Sequence, residues 1–486
     1  MLLNCRLIGR SSGSILGFQR QKFLGAERLE ELRWGSLPAV SPWAGEDRFY
    51  PSPPKHELGR FLEDSMAGLG AWLREFFGGK KEELDLRPLL PHTPTRPSGP
   101  ESFAEDNNDF ALEIYRQLRQ RPGNLFFSPF SIRTALGMTQ AGARGETAAQ
   151  MREALRISSP DAALHVAFAE IIERLNAAGG SKYEMAVANS LWGQDGAPLQ
   201  AGFLELTARH YGGGMNLVDF RRDAEAARLT MNQWVEDKTR HKIRELIPSG
   251  GLDADTRLVL VNAVYFKGMW VLQFPKSATR DEPFRLEGGG MVQAPLMHQH
   301  EWVQYLQAAG YQAVDLVYEG GDLSMLVLLP DRKDGLRNLE KKLSGRVLHD
   351  CVAQVRASEV ELFLPRFKIT WGTVNMRDQL TALGMPLAFT RYQADFSGIN
   401  GHEPPDEESL FLSGVFHKAF VEVQEKGTEA AAASASAIEV SAALRPSKPP
   451  PVPIFRADHP FLFAIRERKS GAILFLGCIT DPTRES

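Results

Sequence analysis

Hydrophobic positions recur at helical spacing through the first half of this chain and gather into dense runs in the second. Leu58, Phe61, Leu62, Met66, Leu69, Leu73, Phe76 and Phe77 share one face of an amphipathic helix expected near residues 57–78, closed by Gly78-Gly79. Arg60, Glu63, Asp64, Arg74 and Glu75 mix their signs on the remaining surface, which suits docking or a protein partner better than a membrane surface. Prolines flank the helix at Pro51, Pro53 and Pro54 and again at Pro88, Pro91, Pro94, Pro97 and Pro100. Residues 1–100 are therefore expected to form a partly disordered N-terminal extension with a Pro-rich linker, and residues 101–486 a single domain.

In that domain Asp109–Leu118, Ser131–Gln140, Thr147–Leu155 and Asp161–Ala178 read as helices, the last with Leu164, Phe168, Ile171, Ile172 and Leu175 as its buried stripe. Arg257–Lys267 is a nearly continuous apolar run, as in a strand covered on both faces. Leu323–Pro330, Val360–Pro365, Pro460–Arg466 and Ala472–Gly477 have the same β character. Helices dominate early and strands late, without regular alternation or a fixed repeat, which predicts an α+β fold.

Composition changes this picture little. Among 486 residues, 43% hydrophobic and 24% charged is ordinary for a globular chain. A net charge of −4 offers no basis for binding nucleic acid or anionic membranes. No apolar run approaches the ~20 residues needed to span a bilayer. Cys5, Cys351 and Cys478 are too few and too widely spaced for a disulfide framework or a zinc motif, so stability must come from a hydrophobic core. Arg6, Arg10, Arg20 and Lys22 precede the first acid, Glu27, but Asn4 and Arg6 interrupt any apolar stretch, so no clear signal peptide emerges.

The informative segment is Glu422 to Arg445. Small residues run from Ala430 to Ala437, and five prolines then fall between Pro446 and Pro453. An Ala/Ser run alone reads as a linker. The placement of proline argues otherwise, because every backbone N–H from Glu425 to Arg445 is free to donate, as a strand entering the middle of a sheet requires.

This segment resembles the proximal hinge and reactive-centre loop of the serpins. Further resemblances follow in family order: Asn124–Ile132, Gly142–Thr147, Val187–Trp192, Leu258–Gly268, Asp322–Pro330, Leu383–Met385, Asp395–Ile399, His417–Glu422 and Phe455–Phe461. They cover residues 105 to 482. The resemblance implies the serpin fold, with about three β-sheets, eight or nine helices and an exposed reactive-centre loop at about 425–454. It implies a protease inhibitor and no enzyme. The loop is cut once, and the protease is trapped as an acyl-enzyme when the cut loop inserts into the central sheet.

Residue by residue, the resemblance places the hinge at Glu425, Gly427, Thr428, Glu429, Ala430, Ala431, Ala432 and Ala433. Thr428, Ala430, Ala432, Ser434, Ser436 and Ile438 would share the inward face of the inserting strand. Ser128, Ser131, Asn262 and His417 would form a polar cluster where the sheet parts, and Trp270 would lie where insertion starts. Glu425 would pair with Arg366, where the family usually has lysine, through a bidentate contact. Counting from Gly427 puts the reactive bond at Ser441–Ala442, suiting elastase- or subtilisin-like proteases. The longer stretch to Phe455 keeps Leu444, for a chymotrypsin-like enzyme, and Arg445 as alternatives.

Other readings stand lower. A non-inhibitory serpin-fold carrier or chaperone commonly lacks the small-residue hinge kept here. Gly9-Arg-Ser-Ser-Gly13 fits a hydrolase nucleophile elbow but has no strand before it or helix after it. His298, His300 and Glu301 lack a third suitably placed ligand, so no metal is expected. Arg174 is the sole Lys or Arg in Asp161–Ala178, so heparin activation through that helix is not expected. The remaining expectations are a monomer without cofactor. The compartment stays open, with an extracellular or periplasmic site favoured on family grounds.

Overall fold

The computed structural model describes residues 100–178, 183–428 and 451–485. The expected helix near 57–78 and the loop residues 429–450 lie outside them.

Helix α1 (Pro100–Leu118) begins nine residues before the expected Asp109. Proline costs nothing in a first helical turn, where its missing N–H would be unpaired anyway. Phe103 and Ala104 extend the buried stripe of Phe110, Ile114 and Leu118. Three helices follow near their expected bounds: α2 (Pro129–Gln140), α3 (Gly145–Ala154) and α4 (Asp161–Ala178). Then come α5 (Ala201–Tyr211) and α6 (Phe220–Lys238). Four short helices, α7 (Leu336–Lys342), α8 (Gly345–Gln354), α9 (Arg377–Ala382) and α10 (Ser397–Asn400), bring the described α-helices to ten.

The strands are β1 (Leu125–Phe127), β2 (Tyr183–Gln194), β3 (Met215–Val218), β4 (Leu258–Met269), β5 (Arg280–Arg285), β6 (Met291–Ala308), β7 (Tyr311–Val317) and β8 (Leu323–Pro330). β9 (Arg356–Pro365), β10 (Phe367–Asn375), β11 (Leu412–Gln424), β12 (Gly427–Thr428), β13 (Ile454–Arg456), β14 (Phe461–Glu467) and β15 (Ile473–Ile479) complete them. The described residues form two hydrogen-bonded sheets where about three were expected. The cause is β6, which runs unbroken for 18 residues. Its first part pairs β5, its last part pairs β7, and β9 spans the junction, so two expected sheets fuse into one of nine strands.

The second sheet has the order β10-β11-β12-β4-β2-β3 and is covered on both faces. On one face Val259, Val261, Ala263 and Tyr265 of β4 and Phe416 and Phe420 of β11 pack under Phe220, Ala227, Met231 and Val235 of α6. On the other, Leu258, Leu260, Val264 and Phe266 join the main core. This two-sided burial explains the unbroken apolar run of β4.

Candidate functional site

β4 and β11 run parallel and in contact from Leu258–Leu412 up to Tyr265–Phe420. Above that point they part. The chain turns at Glu425-Lys426, and β12 descends into the gap, pairing antiparallel with both neighbours. Val423 faces Thr428 across one ladder, and Gly268 faces Thr428 across the other. The hinge residues Gly427 and Thr428 thus already occupy a strand position.

Gly427 adopts φ 142°, and a Cβ there would lie 2.1 Å from the Gly268 carbonyl oxygen. Only glycine passes this point. Trp270 frames the turn: its backbone N–H donates to the Lys426 carbonyl at 2.9 Å and its indole Nε1–H to the Gln424 carbonyl at 3.1 Å. Its ring stacks on Tyr318 at 4.5 Å, and the Tyr318 hydroxyl lies 3.0 Å from Thr428 Oγ1 with both residues fully buried.

Glu425 anchors the turn from outside. Its Oε1 accepts from Arg366 Nε and from the Thr279 hydroxyl, each at 2.7 Å, and from Arg366 Nη2 as well. Both guanidinium contacts fall on one carboxylate oxygen, in place of the expected two-oxygen fork. Burial pushes the Glu425 carboxyl up, yet the Arg366 and Thr279 hydrogen bonds outweigh it and hold the group below its ordinary value.

Lower down, the β4–β11 seam carries a polar cluster. The Ser128 N–H donates to His417 Nε2 at 3.3 Å, so Nε2 is the acceptor and Nδ1–H donates to Asn262 Oδ1. Asn262 Nδ2 donates to Ser131 Oγ at 2.6 Å and to Asn189 Oδ1, and Ser131 Oγ donates to Asn189 Oδ1 at 2.9 Å. Ser128 Oγ caps α2 by accepting from the Ser131 N–H and donates to the Leu474 carbonyl at 2.7 Å. The imidazole is fully buried, and desolvation drives its pKa down to about 3. It is a neutral hydrogen-bond relay between strand, helix and sheet.

The structure brings Glu425 and Arg366 together at the turn, and Ser128, Ser131, Asn262 and His417 in the seam. Glu429, Ala430, Ala431, Ala432, Ala433, Ser441, Ala442, Leu444 and Arg445 lie outside the described residues. Three partners escaped the sequence reading. Asn189 sits inside the Val187–Trp192 motif, whereas Thr279 and Tyr318 belong to no motif. Elsewhere His298 pairs with Glu361 at 2.5 Å and His300 with Glu359 at 3.2 Å, and no metal-holding cluster occurs among the described residues. Arg174 is 3.5 Å from Glu467. Cys351 and Cys478 are buried and free. No described helix is long and apolar enough to cross a membrane.

A family model described as "Serpin (serine protease inhibitor)" matches residues 105–482. An uncharacterised serpin-like protein of Thermococcus kodakarensis is 38% identical over 77% of this chain and 84% of its own. The human leukocyte elastase inhibitor is 38% identical over 79% of this chain and 100% of its own. The solved structure of human thyroxine-binding globulin with its ligand has a TM-score of 0.70 and 29% identity, covering 79% of this chain and 100% of that one.

Proposed function

The chain belongs to the serpin family, and we propose that it inhibits serine endopeptidases, or cysteine endopeptidases, as a suicide substrate. The target's own nucleophile attacks the carbonyl carbon of Ser441. The bond to the Ala442 nitrogen breaks, that nitrogen leaves with a proton, and the protease stays attached as an acyl-enzyme. The freed segment from Glu429 onward then follows β12 down between β4 and β11, carrying the protease with it before water completes deacylation. The observation that supports this reading most is β12 itself, a hinge already paired on both edges at the opening through which the rest would pass. The small side chains from Ala430 to Ala437 and the absence of proline up to Arg445 suit that passage.

Ser434 to Ala443, with four alanines, Ile438 and Val440, suits a small or aliphatic pocket, in keeping with relatives named for elastase inhibition. The test mixes the protein with elastase, subtilisin, chymotrypsin and trypsin and examines the products on denaturing gels. A band of the summed mass that survives boiling in detergent is expected, with a released fragment beginning at Ala442. A fragment beginning at Arg445 or Pro446 would move the reactive bond to the Leu444 or Arg445 alternative. Cleavage by all four without any such band would overturn trapping and favour a carrier, for which the thyroxine-bound relative offers a precedent.

A further inference from the structure

Tyr318 belongs to β8's connection from β7, outside every motif that carries the resemblance, yet it makes the one side-chain hydrogen bond that the hinge residue Thr428 has among the described residues. Its setting is built around that contact. Trp270 stacks on one face of the ring at an interplanar angle of 17°, and Phe266 meets it edge-on at 78°. Gly268 leaves room for it, since a Cβ there would lie 2.7 Å from Tyr318 Cδ1. A Trp270–Tyr318 backbone bridge ties the two strands' ends together. The ring therefore has one position, and its hydroxyl points where Thr428 enters.

We propose that Tyr318 is a positioning residue for loop insertion: it holds Thr428 docked between β4 and β11 before cleavage, so that the cut loop starts from a pair already in register. This rests on the trapping reading above. Two buried hydroxyls satisfy each other at 3.0 Å. Removing either one leaves the other buried and unpaired, which costs more than the net value of the bond, whereas removing both leaves neither stranded. The docked hinge is one side of an equilibrium, and insertion draws only on the docked fraction. Loss of docking gives deacylation more time and turns inhibitor into substrate.

The experiment is a double-mutant cycle of Tyr318→Phe and Thr428→Val, read in two ways. One readout is the number of inhibitor molecules consumed per protease trapped. The other is amide hydrogen exchange over Lys426–Thr428, detected by mass spectrometry on the intact protein. Each single variant is expected to raise consumption about fivefold, the size a lost buried hydrogen bond has in a rate, and to speed hinge exchange. The double variant is expected to fall well short of the product of the two. Trapping with unchanged consumption and exchange in Tyr318→Phe would overturn the proposal, as would lower consumption or strictly multiplicative effects in the double variant. If the unmodified protein traps none of the four proteases, it is the trapping reading that fails, and hinge exchange still decides whether Tyr318 docks Thr428.

Discussion

His417 shows how burial fixes a residue's chemistry. Its ordinary pKa near 6.5 falls to about 3 in the folded protein because the imidazole has no water and gives both nitrogens to neutral partners. A depressed folded value means the native state favours the neutral form. The stability this contributes is complete above about 6.5 and is lost as pH falls through that window toward 3. Urea midpoints are therefore expected to drop between pH 7 and pH 4.5. A His417→Gln variant should be less stable at pH 7 yet lose less over the same interval, and an equal loss would remove His417 as the cause. Glu425 has the same sign with a different origin, since Arg366 and Thr279 hold its carboxylate down. Arg366→Ala is expected to release the turn and weaken Lys426–Thr428 protection from exchange, with Arg366→Lys intermediate because it keeps charge but not the two-nitrogen contact. The Arg366–Glu425 pair was legible because both residues sit in recognisable family positions. Thr279 was not, since a lone threonine 146 residues from its acceptor carries no local pattern.

At the scale of elements, periodicity located what is amphipathic or wholly apolar and missed what tertiary contacts extend. α4 matches Asp161–Ala178 because its stripe fills the whole helix, whereas α1 starts earlier because Phe103 packs on Phe168 at 4.7 Å, a contact no window of sequence contains. The fusion of two sheets through β6 was equally hidden, since strand length across a junction depends on what β9 does beside it. β12 was legible as a hinge, but not as a strand already formed. Its formation hangs on Gly427, where positive φ and the Gly268 carbonyl both exclude a side chain. Gly427→Ala is expected to expel β12, lowering stability by about 1–3 kcal/mol and exposing the hinge to proteolysis at low enzyme concentration. A variant with unchanged hinge exchange and unchanged unfolding midpoint would show that β12 is not held in this way. Lys242 makes the opposite kind of contact, its Nζ 5.7 Å from the Tyr265 ring of β4 and 5.8 Å from the Phe420 ring of β11, across the seam that the proposed insertion would part.

For the whole molecule, the proposed trapping raises the question of where the free energy for displacing a protease would come from. In the intact protein β4 and β11 pair directly from Leu258–Leu412 to Tyr265–Phe420, and Lys242, just past α6, lies over the two rings at the upper end of that seam. Parallel pairing of this kind is slightly weaker per residue than antiparallel pairing. A strand continuing from Thr428 would be antiparallel to both neighbours, replacing one parallel ladder with two antiparallel ones. Its small inward residues would enter without displacing the core. At about 1 kcal/mol net for each new ladder bond, the gain is on the order of 10 kcal/mol, enough to raise the unfolding temperature by about 10 °C or more in a domain of this size. Cleaving the loop with a catalytic amount of a metalloprotease, which forms no acyl-enzyme and therefore turns over, and then following thermal unfolding tests this directly. A large rise is expected. Because Lys242, just past α6, would have to yield its contacts with the Tyr265 and Phe420 rings while the strand passes, the rise should develop after cleavage at a rate slower than cleavage itself. An unfolding temperature that stays level or falls would mean the cut loop remains outside the sheet, leaving nothing to hold a protease against deacylation.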